Sequence, residues 1–149
     1  MQLGVREVDQ FAINLIRNGG EELHASVTLF DISMIFPFRE SCRVTIKCKE
    51  VNCSADGYCF FGALLSLRRD HLEPQGFLPQ VNGASIDCYP SNMASEMGQG
   101  KKIYKLTMGQ KMDVAQLVNT FDSDAISTLV EVSVQQEYYK EWYSNISNA

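Results

Sequence analysis

Apolar residues in the first eighteen positions recur three and four apart: Val5, Val8, Phe11, Ala12, Leu15 and Ile16. A helix buries such a stripe along one side, so the pattern predicts a helix over Val5–Asn18. Gly19-Gly20 would stop it, since glycine takes the left-handed conformation that helix ends use. Leu23–Ile35 is rich in β-branched and aromatic residues and predicts a strand that Pro37 interrupts. From Cys42 the alternation is strict. Cys42, Val44, Ile46 and Cys48 fall on one face, with Arg43, Thr45, Lys47 and Lys49 on the other, the signature of a half-buried strand, here running Cys42–Val51. The two strands are expected to pair as an antiparallel hairpin across the polar loop around Arg39 and Glu40.

A second helix follows, with Asp56 as its predicted cap. Phe60, Phe61, Ala63, Leu64, Leu65, Leu67 and Leu72 surround much of its circumference, which predicts a central position. Arg68 and Arg69 near its C-terminus complement the helix dipole. Gly76–Gly100 is turn-rich, with a short strand at Ser85–Tyr89 and a short helix at Ser91–Met97 capped by Ser91. Lys101–Met108 predicts a strand with Tyr104, Leu106 and Met108 on one face and Ile103, Lys105 and Thr107 opposite; Leu117–Phe121 predicts a last short one. Asp122-Ser123-Asp124 would cap a final helix running from about Asp124 to Ile146, striped by Ala125, Leu129, Val132, Gln136, Tyr139, Tyr143 and Ile146. Val130, Val132 and Val134 would equally suit a strand. The expected fold is a single α+β domain over residues 1–149, with an antiparallel sheet of about four to five strands packed by N-terminal, central and C-terminal helices.

Charge narrows the partners. The formal net charge of −5 argues against nucleic acid, which needs a basic surface, and favours a basic protein. No apolar run approaches the roughly 20 residues of a membrane span. Residues Met1–Arg17 lack the basic start and unbroken apolar run of a secretory signal. The expected location is cytoplasmic. The five cysteines, Cys42, Cys48, Cys53, Cys59 and Cys88, are an odd number, expected to be reduced thiols. Cys48 and Cys53 are the one closely spaced pair, and no second pair completes a tetrahedral zinc site, so neither metal nor cofactor is expected. Gly98-Gln99-Gly100-Lys101 lacks the earlier glycine and the following hydroxyl of a phosphate-binding loop.

One stretch spells a chemistry. Asp56-Gly57-Tyr58-Cys59-Phe60-Phe61 resembles the D-G-x-C-[LF]-[FY] box of ovarian-tumour-type cysteine proteases. A helix N-terminus lowers a thiol's pKa and favours the reactive thiolate. That resemblance implies Cys59 as nucleophile of a cysteine-dependent hydrolase, with a histidine base brought in from far downstream. The only histidines are His24 and His71. His71 follows twelve residues on, roughly 18 Å along a shared helix, and His24 precedes the cysteine. The residues favour a binding protein over an enzyme, with Cys59 as a buried small hydrophobe.

A second resemblance covers residues 56 to 122. Leu67-Arg68, Leu72-Glu73-Pro74-Gln75-Gly76, Asn82-Gly83-Ala84, Tyr89-Pro90-Ser91, Met93-Ala94, Met97-Gly98, Gly100 and Tyr104 resemble bacterial immunity proteins of polymorphic-toxin and contact-dependent growth inhibition systems. It implies a cytoplasmic protein that neutralises one cognate toxin domain by binding it. Such groups share no catalytic motif, so no residue roles carry over. Tyr and Trp are enriched at interfaces, and carboxylates beside them suit a basic partner. The terminal aromatic cluster is Tyr138, Tyr139, Trp142 and Tyr143, and the candidate partner-binding residues are Glu131, Glu137, Tyr138, Glu141 and Trp142; the alternative is that Tyr139, Trp142 and Tyr143 belong to the core and Tyr138 alone is exposed.

Overall fold

The computed structural model describes residues 3–18, 20–35 and 38–147. Four long or medium strands, β1 (Leu3–Arg17), β2 (Glu22–Ile35), β3 (Phe38–Lys47) and β4 (Asn52–Gly57), form a curled antiparallel sheet with the short β5 (Phe77–Pro79), in the order β4-β3-β2-β1-β5. A smaller antiparallel sheet holds β6 (Cys88–Tyr89), β7 (Lys102–Lys105) and β8 (Leu117–Asn119). The helices are α1 (Phe60–Leu67), α2 (Asn92–Met97) and α3 (Val132–Ser147). The fold is α+β, and none of its helices is N-terminal.

The predicted helix over Val5–Asn18 is strand β1. Its register against β2 slips between Glu7 and Asp9, leaving Val8 as an extra residue. A bulge of this kind breaks the two-residue alternation. Val8 and Phe11, three apart, thus both pack against the core beside Ile13 and Leu15, and an irregular strand imitates helical spacing. Gly20 turns the chain into β2 at φ 90; the proposed roles of Gly19 and Pro37 lie outside the described residues. Arg39 and Glu40 belong to β3, opposite Met34 and Ser33, rather than to a loop.

Asp56 does not cap the second helix. It lies on β4, where both its carboxylate oxygens accept from Arg43 at 2.7 and 3.1 Å. The cap is Cys59, whose Sγ accepts from the Gly62 amide at 3.3 Å. Gly57 ends β4 against this turn, and a Cβ there would fall 2.4 Å from Ala63 N. α1 is central, as predicted. Phe60, Ala63, Leu64 and Leu67 join Ile13, Leu15, Val27, Val44 and Ile46 in the main core, while Phe61 and Leu65 face Cys88, Ile103 and Val132 in a second cluster. A helix buried on both sides is apolar nearly all round.

Beyond Leu67 the helix widens into a π turn, Arg68–Leu72, then a 3-10 turn, Glu73–Gln75. Arg68 is not at a solvated helix end as expected; it is wholly buried. Ser91 caps α2 as predicted, accepting from Ala94 N at 3.0 Å. On β7 it is Ile103 that is fully buried, and Leu106 reaches the interior only after the strand has ended.

The last helix starts at Val132, eight residues later than predicted from Asp124. Asp122 and Asp124 are not its caps: they accept from the side chains of Asn119 and Asn82. The chain between them and α3 lies across the turn at Asn82–Ser85. Ala125 N donates to Asn82 Oδ1, Val130 N to Ala84 O, and Ser85 bridges Leu129. The helix start is met from elsewhere in the chain, where Glu73 Oε2 accepts from Val132 N at 2.8 Å. The buried side of α3 carries Val132, Gln135 and Trp142, one position off the predicted Gln136–Tyr143 stripe; Tyr143 is exposed.

Candidate functional site

Cys59 is 4 % exposed. The loop Gln99–Gly100 covers it. Phe60 N donates to Gln99 O at 2.7 Å, Thr120 Oγ1 donates to Gly100 O at 2.6 Å, and a Cβ on Gly100 would fall 2.8 Å from the thiol sulfur. Gly100 sits at φ +70, so its lack of a side chain serves both conformation and space. His71 is exposed in the π turn. His24 is exposed on β2, its Nδ1 2.6 Å from Asn14 Oδ1. Neither ring is hydrogen-bonded to the thiol; the sulfur serves as a helix cap.

A conservative substitution tests that role. Serine is a better N-cap than cysteine, while a hydroxyl is less welcome in an apolar site, so the two effects oppose. Cys59→Ser should change stability by no more than about 1 kcal/mol, and Cys59→Ala should lose about that much by losing the cap. Native Cys59 should react with a thiol reagent only as fast as the protein opens. Rapid selective labelling of Cys59 in the folded protein would contradict this.

The five candidate partner-binding residues do not form one surface. Glu137 and Glu141 are exposed, one turn apart on the outer side of α3. Tyr138 is half-buried on its flank, and Glu131 is exposed just before the helix. Trp142 is only 5 % exposed, and its Nε1 donates to Thr107 O at 3.1 Å and Gln110 O at 2.9 Å. Trp142 thus fixes α3 to the loop after β7. Tyr139 stacks on Tyr89 at 4.1 Å between centroids, and Tyr89 meets Phe61 edge-on at 5.1 Å. Phe61, Tyr89 and Tyr139 therefore form a column joining α1, β6 and α3.

Arg68 and Gln135 share the interior between these elements. Arg68 Nη1 donates to Gly83 O at 3.0 Å and to Gln135 Oε1 at 2.5 Å, and Nη2 donates to Val130 O at 2.8 Å. Gln135 Nε2 is shared among the carbonyls of Gly83, Ser85 and Cys88. No carboxylate lies within ion-pair distance of Arg68 among the described residues. Burial pushes its pKa down to about 10, opposed by the Glu73 carboxylate. It stays charged at neutral pH and holds structure rather than a ligand.

Sequence reasoning did not find a cleft of about 460 Å³ at the far end of β1, β2 and β3. Asp31 stands in it, accepting from Arg6 Nη2 at 2.6 Å and Gln99 Nε2 at 3.1 Å, with Tyr58, 71 % exposed, on its wall. The signal was present: Asp31 continues the inward series Ala25, Val27, Leu29 as its one charged member. Among the described residues, no three His, Cys, Asp or Glu side chains gather closely enough to hold a metal ion, and no helix is long and apolar enough to cross a membrane.

No model of a known protein family matches this sequence, and a search among curated proteins finds no match.

Proposed function

We propose that this protein is a non-catalytic inhibitor of the immunity class, which neutralises a cognate toxin domain by binding it through the acidic outer face of α3. The observation that carries the reading is the placement of Glu137 and Glu141. They share one exposed helix face, four residues apart, and neither makes an ion pair among the described residues. Like charges so spaced cost a helix roughly 0.2–0.5 kcal/mol, a cost that a basic partner removes. Tyr138 and Glu131 border the same face, while Trp142 supports it from behind. The sequence resemblance and the net charge of −5 agree with a basic toxin, such as one acting on nucleic acid. The burial of Cys59 as a helix cap weighs against the alternative of a cysteine-dependent hydrolase.

Co-expression with the toxin domain encoded beside this protein is the test. The toxin alone should arrest growth, and this protein should restore it. Glu137→Lys with Glu141→Lys should slow association about tenfold or more at low salt and leave the thermal midpoint nearly unchanged. A toxin equally lethal in the presence of this protein would end the immunity reading. Unchanged association by the double variant would move the interface away from α3.

A further inference from the structure

The outer edge of β1 is largely unpaired among the described residues. β5 pairs only with Leu15–Arg17, so from Leu3 to Asn14 β1 has no strand on that side among the described residues. The direction of its backbone can be read from the bonds that remain. Asn18 N donates to Gly76 O, and Gln80 N donates to Asn14 O at 2.8 Å. Residues 18 and 14 thus turn their polar groups toward the β5 side, and by alternation so do residues 12 and 10. The Gln10 amide is already met by its neighbour, donating to Asp9 Oδ1 at 2.8 Å. Ala12, exposed and beside a cleft, is the centre of what is left open.

The cleft runs between this edge and the loop after β8. It encloses about 500 Å³ and is lined by Ala12, Ile13, Asn14, Gln80 and Phe121–Asp124. A smaller hollow continues it past Phe11 to Asp9 and Lys101. Glu7, Asp9, Asp122 and Asp124 flank the edge, and none is ion-paired among the described residues. Lys101 is the cation in this hollow, its ammonium 5.5 Å over the Phe60 ring. The balance around the edge is negative. Phe11 and Phe121, with centroids 5.3 Å apart, give the floor an apolar wall.

We propose that the β1 edge between Gln10 and Asn14 docks an extended protein segment bearing lysine or arginine at alternate positions, which lies beside β1 in line with β5. Backbone groups supply the pairing, and the flanking carboxylates select the charge. A second copy of this chain is the wrong occupant. Antiparallel self-pairing centred on Ala12 would drive residues 7–9 of each copy into the place that β5 holds beside Leu15–Arg17 of the other, and charges with a bulge are how edges resist self-pairing. The α3 surface plays no part in this inference, and its test needs no toxin.

Amide-resolved NMR of the full chain, titrated with a blocked decapeptide alternating lysine and threonine, is the experiment. The peptide should bind with a Kd below about 1 mM, shifting the amides of Ala12 and Asn14. Three arms should each weaken it about tenfold or more: glutamate for lysine in the peptide, N-methylation of its alternate amides, and Ala12→Pro in the protein. Proline is tolerated where an edge N–H faces outward, and the N-methylated peptide tests the same pairing on unaltered protein should Ala12→Pro fail to fold. No binding by the lysine peptide, equal binding by the glutamate or N-methylated peptide, or a β1-mediated dimer of the protein alone would overturn the proposal.

Discussion

Gln135→Leu should destabilise the protein by about 3 kcal/mol or more, since a buried polar group left unpaired costs about 1–3 kcal/mol and a charged one more. Domains of this size have only about 5–15 kcal/mol in total. Leucine fills similar space, so lost volume is not the cause. Arg68 would keep its charge in a fully buried site with one acceptor fewer, and its Nε has no hydrogen-bond partner among the described residues to begin with. The carbonyls of Ser85 and Cys88 would lose their shared donor at the same moment. Arg68→Met should cost less, about 1–3 kcal/mol, because it removes the charge and leaves neutral groups unpaired. The double variant should cost clearly less than the sum of the two, since the second change removes what the first stranded. Urea unfolding reads all three. A cost under about 1 kcal/mol for Gln135→Leu would show that the network does not hold α3 in place.

The protein should lose stability steeply above pH 9. Burial pushes the thiols of Cys42 and Cys88 up to about 12 and that of Cys53 up to about 11, from an ordinary 9.0. The unfolded chain gives up these protons from about pH 9, while the folded chain retains them. Their contribution is therefore complete below pH 9 and is lost as the pH climbs through 11 to 12. Each thiol supplies a slope of up to about 1.4 kcal/mol per pH unit. Tyr138 and Tyr139 act in the same direction, both raised by burial first. Arg68 acts against them. Its pKa is about 10 in the fold, below the ordinary 12.5, so above pH 10 its deprotonation favours the folded protein. Three thiols outweigh one arginine, and unfolding free energy should fall by several kcal/mol between pH 8 and pH 11. Replacing both Cys42 and Cys88 with alanine should lower stability at pH 8 yet flatten this decline. A wild-type profile flat to pH 11 would show that the thiols ionise freely in the folded protein.

The errors of sequence reading share one cause. The bulge at Val8 gave β1 a helix-like spacing, and only pairing with β2 reveals which residue is extra. β4 went unread because its inward residues, Cys53, Ala55 and Gly57, are small or lack a side chain, so alternation with Asn52, Ser54 and Asp56 carried little hydrophobic contrast. α3 starts late because its first amide is met by Glu73, fifty-nine positions away, and the β-branched residues before it lie extended over the Asn82–Ser85 turn. For the candidate site, Glu137 and Glu141 were readable as a helix face and a core position for Trp142 as the alternative, but not the groups that receive its indole N–H. Its partners, Thr107 and Gln110, come from a distant loop.

By itself the sequence determined what one stretch of backbone decides alone. It marked the inward Cys42, Val44 and Ile46 of β3 by strict alternation, the Ser91 cap of α2 by its hydroxyl, and the burial of α1 on both sides by its apolar circumference. These depend on periodicity and short-range hydrogen bonding, which the local chain contains in full. Tertiary assembly alone made Arg68, in the π turn Arg68–Leu72, interior, made Cys59 a covered cap rather than an open thiol, and left the edge of β1 unpaired among the described residues. Each depends on which distant groups arrive to desolvate or satisfy it. Where burial or pairing rests on groups distant in sequence, no local pattern encodes it.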